Sequence, residues 1–258
     1  MTNLRLIFRG TLVILHIIAG VLITPFVSQK ADDGIPRTNK RITRWWHARL
    51  LRILNVKVTT KGTLPEAPCL VVSNHVSWLD IMVLGATMQT GFLSKDDVAK
   101  WPVIGWLASR AGTLFIKRGG GETSALSLSI RDFIKQGNLL TLFPEGTTTD
   151  GTNVRQFFAR LFAVSIDNKL AIAPVGLRYE QANGQLDMDA PYIGEQSLLQ
   201  NLVILMRREQ TLVTVSFAEH IQPLTQDRKA LAQAAYASVM GELGYPLPEK
   251  PIRFKQAA

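Results

Sequence analysis

The sequence predicts a layered α/β fold with a mixed, largely parallel sheet, preceded by an N-terminal membrane-associated helical segment. Three observations carry that expectation. From residue 66 onward, short apolar runs alternate with stretches of helical periodicity, the pattern of strands that cross over through helices. A long apolar run lies near the start of the chain between basic residues. The positive charge gathers at the same end: of 29 Lys+Arg and 20 Asp+Glu in 258 residues, ten basic residues and only Asp32 and Asp33 fall before residue 61, so +8 of the net +9 sits there. With 47% hydrophobic and 19% charged residues the chain can bury one sizeable core, which excludes a disordered or collagenous protein. Cys69 stands alone, so an intramolecular disulfide and a cysteine-cluster metal site are excluded as well.

Residues 1–56 read as the membrane-associated segment, 57–245 as the α/β domain and 246–258 as an irregular tail. The apolar run 11–27 is interrupted by His16, Gly20 and Pro25; at about 1.5 Å per residue it reaches roughly 25 Å, short of a hydrocarbon core of about 30 Å. A secretory signal peptide is the rival reading, although the run is long for an h-region and no clear small-x-small site follows it. In 38–54 the residues Ile42, Trp45, Trp46, Leu50, Leu51 and Leu54 recur at helical spacing among basic residues. Such a helix suits the interface of an anionic leaflet, or it packs on the core as most amphipathic helices do. Basic residues after the apolar run place the following domain on the cytoplasmic side. His16 and His47 fit packing or polar interface roles better than catalysis.

Strands are expected at 69–73, 113–117, 139–143, 171–178 and 212–217, and helices at 79–88, 122–135, 157–168, 197–208 and 227–243. In open α/β sheets the ligand crevice lies beyond the carboxyl ends of the strands, and the unusual residues fall there. The first strand runs into Asn74, His75 and Asp80, the second into Lys117, Arg118 and three glycines, and the third into Pro144, Glu145, Gly146, Thr147 and Thr148. Five residues of regular helix turn roughly 500°, so His75 and Asp80 can pair only across a strand-to-helix turn, and the cap formers Ser73, Asn74 and Ser77 supply one. A histidine held by a carboxylate is a general base; a hydrogen-bonded structural histidine is the blander reading. No serine sits in a G-x-S-x-G elbow, and no histidine–carboxylate set has metal-ligand spacing.

In order, these segments resemble the glycerolipid acyltransferase family, the lysophosphatidate acyltransferases and their lysolipid relatives. His75 with Asp80 looks like the family's first motif, 112–118 (GTLFIKR) like the second, 143–147 (FPEGT) like the third, and 172–175 (IAPV) is similar to the fourth. The resemblance implies direct acyl transfer from a thioester, acyl-CoA or acyl carrier protein, to the free hydroxyl of a lysolipid in a membrane, with no cofactor and no metal. His75 would deprotonate the hydroxyl, oriented by Asp80. Lys117, Arg118, Glu145, Gly146, Thr147 and Thr148 would bind the acceptor, with Arg118 and the Glu145–Gly146–Thr147 turn positioning its polar head. Backbone N–H groups at the His75 or Gly146 turn would meet the oxyanion.

One position departs from the family's commonest third motif, in which an arginine follows the threonine: here it is Thr148. An arginine matches a phosphate bidentately, so its loss weighs against lysophosphatidate, 1-acyl-sn-glycerol-3-phosphate, which still leads as the family's most common acceptor. Lyso-ornithine lipid or another lysophospholipid is the alternative. A reading of another class is a non-catalytic membrane lipid-binding protein, which would need neither His75 nor Asp80. A nucleic-acid partner is not expected, because the surplus charge is tied to the apolar end.

Overall fold

A computed structural model describes residues 2–30, 36–116, 124–224 and 226–247. Lys117, Arg118 and most of the expected tail lie outside the described residues. Helix α1 (Thr2–Val27) is followed by a strand pair, β1 (Ser28–Lys30) and β2 (Pro36–Thr38), and by α2 (Lys40–Leu54). Then come β3 (Val56–Lys61), β4 (Cys69–Ser73), α3 (Leu79–Met88), β5 (Thr90–Lys95), α4 (Asp96–Ala99), α5 (Ile104–Arg110) and β6 (Thr113–Ile116). After α6 (Ser124–Lys135) and β7 (Leu139–Leu142), a 3-10 turn (Ala159–Phe162) leads into α7 (Ala163–Asn168). The series closes with β8 (Ile172–Glu180), α8 (Leu198–Arg207), β9 (Thr211–Phe217) and α9 (Arg228–Glu242).

Seven strands form one sheet in the order β3-β9-β8-β4-β7-β5-β6, parallel at every pairing except β8 with β9. The mixed, mostly parallel α/β sheet is thus as the sequence predicts. β4 sits at the centre with all five residues buried, as a strand covered on both faces must be. Its side chains alternate: Cys69 and Val71 join the layer of α2, α3 and α8, while Leu70 and Val72 join the layer of α6, α7 and α9. Leu54, Leu70 and Leu79 are fully buried, and truncating any of them to alanine removes roughly 2–5 kcal/mol.

Each expected strand and helix has a counterpart, with 157–168 split between the 3-10 turn and α7. β3 and β5 escaped the sequence reading for different reasons. β3, VKVTTK, is an edge strand whose second half is exposed and polar, and β5, TGFLSK, carries only two large apolar residues.

The stripe of α2 packs on the core through His47, Leu50, Leu51 and Leu54, leaving Trp45 exposed with Arg49 over its ring. α1 lies outside α2 and α8. Its buried residues are Arg9, Val13, His16 and Gly20, spaced four, three and four apart on one face. Arg9 donates to the carbonyls of Met206, in the last turn of α8, and of Arg208 and Glu209 just beyond it; His16 stacks on Trp46 at 4.2 Å, and a Cβ on Gly20 would come within 3.1 Å of the same indole. Ser28, just past α1, donates to the Arg110 carbonyl at the end of α5. Two of the three interruptions of the apolar run, His16 and Gly20, therefore lie on the face that docks. Val13 shares a core with Leu50, Leu51 and Leu54 and with the sheet.

Candidate active site

The carboxyl end of β4 turns into α3 through 74–78, and the turn is fixed from both sides. Asn74 clamps β8: its Nδ2 donates to the Leu177 carbonyl at 2.9 Å, and its Oδ1 accepts the Leu177 N–H at 2.7 Å. Asp80 opens α3 with its carboxylate fully buried. Oδ2 accepts His75 Nδ1–H at 2.8 Å and the N–H groups of Val76 and Ser77 at 2.7 and 3.0 Å, while Oδ1 accepts the Tyr179 hydroxyl at 2.6 Å. The two sequence-predicted residues thus meet across the turn, and four donors hold the carboxylate. With Nδ1 tied to Asp80, Nε2 is the basic nitrogen of His75. The imidazole is 18% exposed and lies against Phe143, ring centroids 4.0 Å apart and nearly parallel, so it faces a site that is both accessible and apolar.

The turn after β7 braces the first from below. Glu145 is buried, and its oxygens accept the N–H of His75 at 2.7 Å and of Arg155 at 2.6 Å. Burial pushes the Glu145 carboxyl up to about 8, against the pull of its two N–H donors. This carboxyl holds the His75 backbone, with both its oxygens engaged by backbone N–H groups. Gly146 has φ 69°, and a Cβ there would stand 2.7 Å from the Phe158 ring, so the turn requires glycine. Thr147 is half-buried in the same turn. Thr148 Oγ1 donates to the Tyr192 carbonyl, and the Tyr192 N–H donates to the Val76 carbonyl, so the loop after β8 is laced to the catalytic turn through Thr148. Thr149 closes the lattice with its N–H on the His75 carbonyl at 2.8 Å.

The oxyanion expectation changes. The N–H groups of His75, Val76 and Ser77 are engaged by Glu145 and Asp80, and that of Gly146 by the Phe143 carbonyl. Lys117 and Arg118 fall outside the described residues, so their placement at the site is not described. Sequence reasoning missed Tyr179 and the Asn74 clamp. Tyr179 lies 99 positions from Asp80, and only the pairing of β8 with β4 brings them together.

Cys69 is buried in β4 and its thiol is pushed up to about 12 by desolvation, which leaves it inert. Among the described residues no group of three or more His, Cys, Asp or Glu side chains converges as metal ligands do. A shallow hollow of about 220 Å³, lined by Lys40, Arg44, Gln89 and Asn138 among others, opens at the opposite edge of the sheet, where β5 and β7 begin, away from His75.

Comparison with known proteins identifies the family and the fold. The acyltransferase family profile matches residues 55–178. A lyso-ornithine lipid O-acyltransferase of Pseudomonas aeruginosa is 39% identical over 242 residues, 93% of each chain. A protein of the same name from Rhodobacter capsulatus is 32% identical over 92% of this chain and 91% of its own. A 1-acyl-sn-glycerol-3-phosphate acyltransferase of Neisseria gonorrhoeae is 28% identical over 81% and 83%. The crystal structure of the 1-acyl-sn-glycerophosphate acyltransferase PlsC from Thermotoga maritima superposes with a TM-score of 0.64 at 15% identity, covering 96% of this chain and all of that one, a likeness of fold.

Proposed function

This chain belongs to the glycerolipid acyltransferase family and acts on lysolipids, and from that premise we propose that it transfers a fatty acyl group from a CoA or acyl-carrier-protein thioester to the hydroxyl of lyso-ornithine lipid, at the cytoplasmic face of a membrane. The observation that carries the chemistry is the buried Asp80 holding Nδ1 of an accessible His75. Nε2 takes the proton of the acceptor hydroxyl, whose oxygen attacks the thioester carbonyl. The imidazolium that forms is stabilised by Asp80, and it returns the proton to the departing thiolate as the tetrahedral intermediate collapses. A thiolate is a good leaving group, so no covalent enzyme intermediate is needed. A protein that only bound lipid would have no use for this pair.

Two observations favour the ornithine head over a phosphomonoester, reversing the order of acceptors expected from the sequence. The relatives at 39% and 32% identity over nine-tenths of the chain bear that name. At 148 the chain has a threonine whose hydroxyl is spent on the Tyr192 carbonyl, where an arginine would supply a bidentate cation for phosphate. A zwitterionic head needs no such cation.

The seat in the membrane follows from α1. Leu4, Ile7, Phe8, Ile14, Leu15, Ile18, Leu22 and Phe26 are exposed, while Arg9, His16 and Gly20 face the protein. A helix with that inverted polarity is solvated by lipid. Because α1 is docked from Arg9 to Ser28, it lies along one leaflet together with the domain and does not cross alone.

The test is to offer the purified protein an acyl thioester with lyso-ornithine lipid and with lysophosphatidate, for the native chain and for Thr148→Arg. The native chain prefers lyso-ornithine lipid, and the substitution improves lysophosphatidate relative to it by roughly tenfold or more, the worth of one charge-assisted contact of about 1.5–3 kcal/mol. Preference of the native chain for lysophosphatidate would overturn the acceptor assignment.

A further inference from the structure

A second apolar projection stands apart from α1. Between α4 and α5, Trp101, Val103 and Trp106 are 36%, 45% and 37% exposed. Val103 has φ 63° and ψ −55°, with the Ile104 N–H bonded to the Pro102 carbonyl at 2.6 Å. That is a γ-turn of the rarer, strained hand, in which a β-branched residue is exceptional. The strain holds an apolar side chain out at the tip of the turn. Arg110 lies over the Trp106 ring at 5.9 Å, an indole with a cation beside it of the kind that suits a headgroup layer.

Its place in the fold decides what it meets. The end of α5 is tied to the end of α1 through Arg110 and Ser28, and Trp106 lies one helical turn before Arg110 on α5. From there α5 extends back toward the carboxyl end of β5, which the chain leaves at Lys95, and that is the edge of the sheet on which His75 lies. The opposite end of α1, with Leu4, Ile7 and Phe8 exposed, sits beside the end of α8 through Arg9. There β9 begins opposite Glu180, where β8 ends. In the order β8-β4-β7-β5 the catalytic turn at the end of β4 therefore stands between the two apolar projections.

We propose that the Trp101–Trp106 segment is a second membrane contact, inserted into the leaflet that α1 occupies and on the other side of the catalytic turn. This rests on the reading that the outer row of α1 meets lipid. The partner is the bilayer because the projection continues that row, carries two indoles at its base and pairs one with a cation. Two contacts flanking His75 would press the mouth of the site against the leaflet from which the lysolipid comes, where a single anchor would leave the domain free to tilt.

The sole native cysteine is buried, so an introduced thiol can be labelled selectively in the full chain. Val103→Cys carries an environment-sensitive dye, with Leu22→Cys on α1 and Gln233→Cys on α9 as companions. Each is mixed with phosphatidylcholine–phosphatidylglycerol vesicles containing spin-labelled lipid. The expected result is quenching at 103 and 22 and none at 233. Quenching at 22 without quenching at 103 would overturn the second contact and leave the seating of α1 intact; quenching at neither would overturn both. The double variant Trp101→Ser, Trp106→Ser is expected to weaken vesicle binding by about tenfold or more while activity on a water-soluble short-chain lysolipid is kept, and unchanged vesicle affinity counts against the proposal.

Discussion

The turn from β4 to α3 and the docked face of α1 both hide polar groups inside the molecule, and they do so for opposite reasons. At the turn, Asp80, Asn74 and Glu145 are buried with both polar atoms of each side chain bonded; Asp80 holds the imidazole of His75, Glu145 its backbone, and Asn74 ties the turn to β8. Along α1, Arg9 is bonded to backbone carbonyls, but neither nitrogen of His16 nor Nε1 of Trp46 has a hydrogen-bond partner among the described residues; the two rings are held by stacking. Buried polar groups left half satisfied cost free energy; at the turn that cost is confined to the Ser73 and Ser77 hydroxyls, which have no partner among the described residues, while the groups that hold His75 are bonded. α1 accepts it because its other face is apolar and exposed. The turn buries polarity to hold one imidazole in place, whereas α1 buries it on the face that docks and leaves its apolar row exposed.

The largest effect expected separates these two regions outright. His75→Ala removes the base and lowers kcat by roughly 10²- to 10⁴-fold while vesicle binding stays as it was. Asp80→Asn is similarly severe, since a neutral partner no longer stabilises the imidazolium. Steady-state transfer assays and vesicle flotation on the same preparations read both properties, and a folded His75→Ala protein retaining half its activity would remove the mechanism. The converse variant is Leu15→Glu with Leu22→Glu on the outer row of α1. Two leucine side chains lost from an apolar phase are worth about 1.5–3 kcal/mol each, so vesicle affinity falls by roughly a hundredfold or more, with transfer to a water-soluble acceptor kept. Loss of both properties together would show that the two regions are not separable.

The two regions also differed in how much of them the sequence disclosed. His75 and Asp80 were legible because a strand, a run of cap formers and an apolar helix follow one another within 20 residues, so the turn that joins the pair is local. The apolar run of α1 was legible as a candidate membrane segment for the same reason. What was hidden needed the sheet. Tyr179 reaches Asp80 only through the pairing of β8 with β4, and Glu145 reaches the His75 backbone only through β7. No spacing along the chain marks Glu145 as the brace of the His75 backbone. His16 and Gly20 read as flaws in an apolar run, and only the packing of Trp46 shows them to be the docking face.

A smaller effect sharpens the account of the turn. Tyr179→Phe removes one donor from a fully buried carboxylate without altering packing volume, and a hydrogen bond to a charged group is worth about 1.5–3 kcal/mol. kcat is expected to fall about tenfold, with KM for the thioester and vesicle binding little changed, because Tyr179 acts through Asp80 and touches no substrate. A rise in KM with kcat unchanged would instead place its effect on binding.

The smallest effect concerns the brace and is read in stability. Burial raises the Glu145 carboxyl from 4.5 to about 8, with the His75 and Arg155 N–H groups pulling the other way. A carboxyl that holds its proton more tightly when folded favours folding at low pH. Its contribution is fully present below 4.5, declines as pH rises toward about 8 and is level above that, with a slope of at most about 1.4 kcal/mol per pH unit for one proton. Glu145→Gln cannot ionise, so this slope disappears from its denaturation curve. The amide also sets an NH₂ against one of the two backbone N–H groups, so the variant is less stable than the native chain near pH 5, and the two draw together toward pH 8.5. Denaturant midpoints measured across that range distinguish the alternatives. Parallel curves would mean that Glu145 is ionised throughout, its charge held by the two N–H donors; the brace would then work as an anion beneath His75, and the catalytic turn would carry a second negative charge below the Asp80 pair.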